Sequence, residues 1–205
     1  KFFISTVPVI LQKDTLLAQG VLNTKLTVEN LTTAPQASGS LQVQDLSVKN
    51  DTIGNLDVQL TNASANAVAA KITISGNEND IVANGNYFPK PVNGNNFDLK
   101  LDINNLNLKT VEGLAMNQIR NSSGNLKGTL LIKGTPAKPI VTGELKTQEL
   151  ATTVKMLGAP FKMPGERIVF TEKGITFDNF NIYDSLGNKA TITGDVITED
   201  LKNIR

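Results

Sequence analysis

The sequence predicts an all-β chain, and three observations carry that prediction. Apolar and polar residues alternate in run after run, as in Leu56, Val58 and Leu60 or Phe97, Leu99, Leu101 and Ile103. A period of two marks a strand with one buried and one wet face. The runs are separated by Asn-, Gly- and Asp-rich segments such as NDTIGN, SGNEND, VNGNN and TEKG, each suited to a hairpin turn. Thr and Val recur within the runs, and both fit a pleated, half-buried surface. Residues 128–146, GTLLIKGTPAKPIVTGELK, show all three features: two alternating runs around the turn segment GTPAKP, each marked by glycines.

Taken in order, Leu26 and Val28 share one parity. Leu41 and Val43 are followed by a one-residue shift at Asp45 and a new pair, Leu46 and Val48. Such a shift predicts a β-bulge, which restores the register of the faces. The pattern then recurs to Ala190, Ile192 and Val196, for about twelve to fourteen strands. Two segments depart from it. Residues 110–119, TVEGLAMNQI, place Val111, Leu114, Ala115 and Ile119 at helical spacing, with Thr110 as cap and Asn121 to Gly124 as stop. Residues 7–18 suit a helix or a strand. Residues 149–157 carry a weak helical pattern, but Thr152, Thr153 and Val154 favour a strand. The loop 88–96, FPKPVNGNN, with prolines unsuited to a central strand, is a weak seam in one continuous β architecture over residues 1–205.

The bulk composition excludes several functions. The 205 residues include no Cys and no His, which removes disulfides, thiolate metal sites and the commonest general base. Net charge is +1, with no basic stripe, and the aromatics are 8 Phe, 2 Tyr and no Trp. Nucleic acid would find neither phosphate contacts nor stacking platforms. No stretch reaches the roughly 18 apolar residues of a membrane-spanning helix. The chain opens KFFISTVPVIL without an initiator Met or a signal peptide, as expected for an internal piece of a longer protein.

A sheet with one oily face cannot stand alone in water. Two sheets can press together, one sheet can close into a barrel, or a long sheet can curl into a trough for an apolar guest. On this physics alone a closed aliphatic core is the simpler solution. About a dozen strands spaced 4.8 Å apart extend roughly 55–60 Å, which suits an elongated body. The apolar faces are mostly Leu, Ile, Val and Phe, with very few Tyr and no Trp. Such walls suit an acyl chain, where each CH₂ removed from water contributes about 0.8 kcal/mol.

The stretch SGNLKGTLLIKGTPAKPIVTGEL, followed by LGAPFKMPGERIVFTEKGITFDNFNIYDSLGNKATITGDV, resembles the TamB family, the translocation and assembly module subunits of Gram-negative envelopes. These are grouped with AsmA-like and bridge-like lipid-transfer proteins. Residues 38–60 and the NGNYFP stretch are similar to its repeated upstream part, and the abundance of Asn and Lys resembles Bacteroidetes members. The resemblance implies a periplasmic β-taco: a curled half-pipe sheet whose apolar groove passes phospholipid acyl chains towards the outer membrane. It also implies an inner-membrane anchor and an outer-membrane barrel partner of the BamA/TamA type, both contacted through parts outside this segment. No enzymatic activity, cofactor or metal is implied. An open groove becomes the expected architecture. Its wall would be Leu26, Val28, Leu41, Val43, Leu56, Val58, Leu60, Ile72, Ile74, Phe97, Leu99, Leu101 and Ile103. It would continue through Leu130, Ile132, Val141, Leu145, Val154, Met156, Ile168, Phe170, Ile175, Phe177, Ile182 and Ile192. Strand edges that pair with barrel strands during assembly are the alternative use of such a sheet.

The remaining constellations read as ordinary structure. Asp184, Ser185, Leu186, Gly187 and Asn188 lack the alternating acidic ligands of a calcium loop and predict a hairpin turn, with Asp184 accepting backbone N–H bonds and Gly187 at positive φ. Glu166 and Arg167 are neighbours, so they face opposite ways on a strand, and Arg167 is expected on the wet face or paired across strands. GNLKGT is not a Walker loop, and Ser185 has no His to activate it. Asp178, Asp184 and Asp195 are expected as scattered surface carboxylates. Asn30, Asn50, Asn62 and Asn121 head N-x-[ST] triplets, close to expectation for 23 Asn. Val7, Val9, Ile10, Leu11 and Leu16 read as core or as a lid on the groove end.

Overall fold

The computed structural model describes residues 2–3, 18–30, 36–48, 51–112, 115 and 118–197. The open segment 7–18 therefore lies outside the described residues except for Ala18, and Val7, Val9, Ile10, Leu11 and Leu16 with it. The described chain is nearly all strand: β1 (Phe2–Phe3), β2 (Ala18–Glu29), β3 (Gln36–Val48), β4 (Asp51–Ser64), β5 (Ala67–Gly76), β6 (Asn79–Val92) and β7 (Asn95–Asn107), then β8 (Ile119–Thr135), β9 (Lys138–Val154), β10 (Ala159–Met163), β11 (Arg167–Thr171), β12 (Gly174–Tyr183) and β13 (Lys189–Ile197). All thirteen join one sheet, and every pairing is antiparallel. The order is a meander, because each tight turn returns the chain beside the strand it has just left. Flattened, such a sheet would run roughly 50 Å along the hydrogen-bonding direction.

β10 and β11 are two halves of one broken strand. β9 pairs its end, from Leu150, with β10 and its middle, around Leu145, with β11. β12 pairs with both as well. Pro164 and Gly165 make the break, and Thr147 of β9 bridges it. Its hydroxyl donates to the Met163 carbonyl at 2.7 Å and accepts from the Glu166 N–H at 2.7 Å.

The bulge expected at Asp45 is present. The ladder between β3 and β4 skips from Val43 to Leu46, and Asp45 has φ 52°. Its N–H, lost to the ladder, donates to Asn55 Oδ1 at 3.1 Å. Similar irregularities interrupt β7 after Ile103, β8 after Arg120 and β12 after Phe177. Each increases local twist and bends the strand.

Two elements differ from expectation. Of the short helix expected over 110–119, residues 113, 114, 116 and 117 lie outside the described residues; a 3₁₀ turn, Leu108–Val111, begins earlier than the helical spacing suggested, and Ile119 already belongs to β8. The turn's N-cap is Asn107, whose side chain accepts the Lys109 N–H; Thr110 is buried inside it. Prolines Pro89 and Pro91 lie within β6 rather than in a loop. They sit where pairing with β7 lapses between Tyr87 and Val92, so no ladder N–H is demanded of them. Asn66 replaces the missing ladder by donating to the Lys90 carbonyl and accepting its N–H, both at 2.9 Å.

Candidate functional site: the apolar face of the sheet

Register converts the alternation into continuous rows across the strands. One row runs Leu22, Val43, Leu56, Ile74, Ile81, Ile103, Gly128, Leu145, Ile168 from β2 to β11. The next runs Thr24, Leu41, Val58, Ile72, Ala83, Leu101, Leu130, Gly143, Phe170, Ile175, Val196 from β2 to β13. A third runs Leu26, Gly39, Leu60, Ala70, Gly85, Leu99, Ile132, Val141. The fourth is shorter: Val68, Tyr87, Phe97, Gly134. Side chains at the same parity of paired strands share a face, so these rows form one apolar stripe.

This stripe holds most of the residues picked out by alternation. Val28 lies beside it, opposite Ala37. Phe177, Ile182 and Ile192 lie on the same face of β12 and β13, where Phe177 meets Phe180 edge-on with centroids 5.1 Å apart. Val154 sits at the far end of β9, opposite Ile119 and Ala159. Met156 joins no row: it follows the end of β9 in the turn before β10 and is 85 % exposed. Its parity with Val154 had no strand to act through. Residues that alternation missed are Leu22, Ile81, Ala83, Leu150 and Met163. Ile81 and Ala83 had a usable period-two signal, hidden because Ala83 and Gly85 are small.

The stripe is not uniformly covered. Over β6 to β9 its first two rows are mostly closed: Ile81, Ile103, Leu126, Leu130, Leu145 and Leu150 are buried together with Leu108, while Leu99, Ile132 and Val141 of the third row stay half-buried. The cover is the 3₁₀ turn, whose Leu108 and Val111 lie on this cluster. The turn rests on β8 and also reaches β7 and β4. Four ladder steps separate β4 from β8, about 19 Å in a flat sheet, so the sheet curls towards the turn. A polar clamp holds it. Buried Asn79 donates to Thr110 Oγ1 at 2.9 Å and to the Ile53 carbonyl at 2.8 Å, and accepts the Asn107 N–H at 2.9 Å. On the flanks the cover is partial: Val43 and Val68 are buried, but the rest of the rows are not. Leu41, Leu56, Val58, Leu60, Ile72 and Ile74 are half-buried, and Leu26 and Val28 are exposed. No second sheet lies over them among the described residues. At the opposite flank Val141, Phe170 and Ile175 line a mainly apolar recess of about 210 Å³.

The other face is polar and ordered by surface pairs. Lys100 meets Asp102 at 2.8 Å, and Arg167 Nε donates to Glu144 Oε1 across β9 and β11 at 2.8 Å. Arg167 thus pairs across strands, as its position beside Glu166 suggested. Asp184 closes its hairpin by accepting the N–H groups of Leu186 and Asn188, each at 2.8 Å, with Gly187 at φ 83°. No group of three potential metal ligands occurs among the described residues.

These contacts set an acid limb. Lys100 and Thr129 hold the Asp102 carboxyl below its ordinary 3.8. Arg167 holds Glu144 below 4.5, and Asn188 with the turn N–H groups holds Asp184 below 3.8. Folded-state values below the unfolded ones mean that the unfolded chain binds more protons in acid. The contribution is present in full above the unfolded values and is lost as pH falls through the folded ones. Thermal midpoints should therefore fall from about pH 5 downwards, and Asp184→Asn should flatten that limb. An unchanged limb would remove Asp184 from the account.

A single curled antiparallel sheet with an aliphatic inner face is the frame against which similarity acquires meaning. No curated protein and no solved structure is significantly similar to the chain. A family model, the TamB C-terminal domain, matches residues 70–202, from β5 to beyond β13. The chain belongs to the TamB family, a structural and transport family of the Gram-negative envelope that serves the translocation and assembly module in outer-membrane biogenesis.

Proposed function

We propose that this chain is one continuous segment of a periplasmic bridge that conducts phospholipid acyl chains between inner and outer membrane. One observation carries the reading: three registered apolar rows cross eight or more strands and stay half-open on the flanks. An acyl tail laid along a row exchanges water for aliphatic wall at about 0.8 kcal/mol per CH₂. The wall offers few directed hydrogen bonds, so contacts are weak and nearly equivalent along the row. A tail slides past them instead of settling in one tight site, and the headgroup stays in water. The 3₁₀ turn narrows the path over β6 to β9, so a tail must pass beside it or lift it. A barrel of the outer-membrane assembly machinery is the partner expected at the receiving end.

Adjacent residues of β8 provide the test. Ile132 belongs to the third row, whereas Leu131 is 42 % exposed on the opposite face. Native mass spectrometry of the purified 205-residue chain should show co-purifying phospholipid. Ile132→Asp should lose it and Leu131→Asp should keep it, with both variants folded by circular dichroism. Equal capture by the two variants would refute the wall. A second reading, a scaffold for barrel strands, draws on β13: among the described residues it pairs only with β12, and nearly all of it is exposed. Capture of unfolded barrel strands without any lipid would favour that reading.

A further inference from the structure

Three of the most exposed large apolar side chains lie on two turns at one end of the sheet. Met156 and Leu186 are each 85 % exposed and Leu157 is 62 % exposed. A single exposed Leu is unremarkable, but these occupy the tips of two neighbouring turns. Tyr183 registers with Lys162 of β10. The turn after β12 therefore rises beside the start of β10, towards the turn that joins β9 to β10. Leu186 shares a recess with Lys162 and Pro164.

The surroundings are basic. Lys162, Tyr183 and Lys189 form one row across β10, β12 and β13. Parity puts this row on the outer face, opposite Phe161 and Ile182. Arg120, beside Ile119, lies on the same face, and Lys155 begins the first turn. None of these cations is in an ion pair among the described residues. Of the nearby carboxylates, Asp184 is engaged within its own turn and Glu112 by the Ser122 N–H; Glu149 is exposed one step beyond Leu150 on β9 and Glu166 half-buried past the break after β10, both on the side of Lys162 away from the turn tips.

The turns also satisfy their own backbone. Leu157 and Gly158 donate to the Val154 carbonyl at 3.1 and 2.9 Å. In the second turn Gly187 donates to the Asp184 carbonyl at 3.1 Å and Asp184 to the Asn188 carbonyl at 3.0 Å. Backbone groups closed in this way can enter a bilayer interface without stranding donors in hydrocarbon. An acidic protein surface would use the lysines but would leave three protruding aliphatic side chains in water.

We propose that these two turn tips dock the chain on a bilayer surface bearing anionic headgroups, with Met156, Leu157 and Leu186 entering the acyl boundary and Lys155, Lys162, Lys189 and Arg120 meeting the headgroups. Docking is independent of whether the inner wall carries acyl chains. The test is co-sedimentation of the 205-residue chain with vesicles of phosphatidylcholine, with and without phosphatidylglycerol. Binding should require phosphatidylglycerol and weaken with salt. The triple variant Met156→Ser, Leu157→Ser, Leu186→Ser and the triple variant Lys155→Gln, Lys162→Gln, Lys189→Gln should each bind at least about tenfold more weakly. Ile132→Asp should bind as the parent does, which separates docking from acyl capture. All substitutions in the triple variants are at exposed positions, so thermal midpoints check that the fold is intact. Absence of binding, equal binding to both vesicles, or parent-like binding by the serine variant would overturn the proposal.

Discussion

Gly128→Ala is expected to destabilise the chain by about 3–5 kcal/mol, at the top of the range for one substitution. Gly128 lies in the first apolar row with φ 152°, between Ile103 and Leu145. A Cβ there would collide with the Glu144 carbonyl oxygen and lie 3.0 Å from Leu145 Cα. Both neighbours are backbone of β9, so the strands would have to separate. β8 and β9, at 17 residues each, are the longest strands, and their ladder carries much of the buried cluster. Gly194 of β13 is the matched control. Its φ is 147°, but nothing lies within 4 Å of its would-be Cβ. Gly194→Ala should cost only backbone strain, about 1 kcal/mol. Urea unfolding followed by circular dichroism compares the two. Similar costs would mean that close approach of β9 to Gly128 contributes nothing.

Thr147→Val is expected to cost about 2–4 kcal/mol. Thr147 has no exposed surface, and Val matches its shape, so no cavity forms. The loss is the hydroxyl, which leaves the Met163 carbonyl and the Glu166 N–H without their partner. Each unsatisfied group costs about 1–3 kcal/mol. Thr147→Ser keeps the hydroxyl and removes one methyl group, for about 1 kcal/mol. Thermal unfolding ranks the variants, and hydrogen exchange should show β10 and β11 opening first in the Val form. If Val and Ser lose the same stability, the broken strand is held by something other than this hydroxyl.

Both sites show where reading of the chain reaches and where it stops. The bulge at Asp45 was legible because a parity shift is visible in a handful of consecutive residues. Asp184 was legible because its bonds reach only to residues 186 and 188. Met156 was misplaced because two residues of alternation look the same in a strand and in a turn just past its end. Thr147 carried no signal at all, since its partners lie 16 and 19 positions away across a break in another strand.

Alternation, turn chemistry and composition were enough to establish an all-β sheet with one aliphatic face and no equipment for catalysis by His or Cys. These are local properties, set by the period of a strand and the inventory of side chains. Which strand lies beside which, the folding of the 3₁₀ turn onto the stripe and the splitting of β10 from β11 are different in kind. They depend on pairs such as Asn79 with Thr110, 31 positions apart. Such contacts form only once the sheet has curled, because curvature is the sum of many small bends and belongs to no single segment.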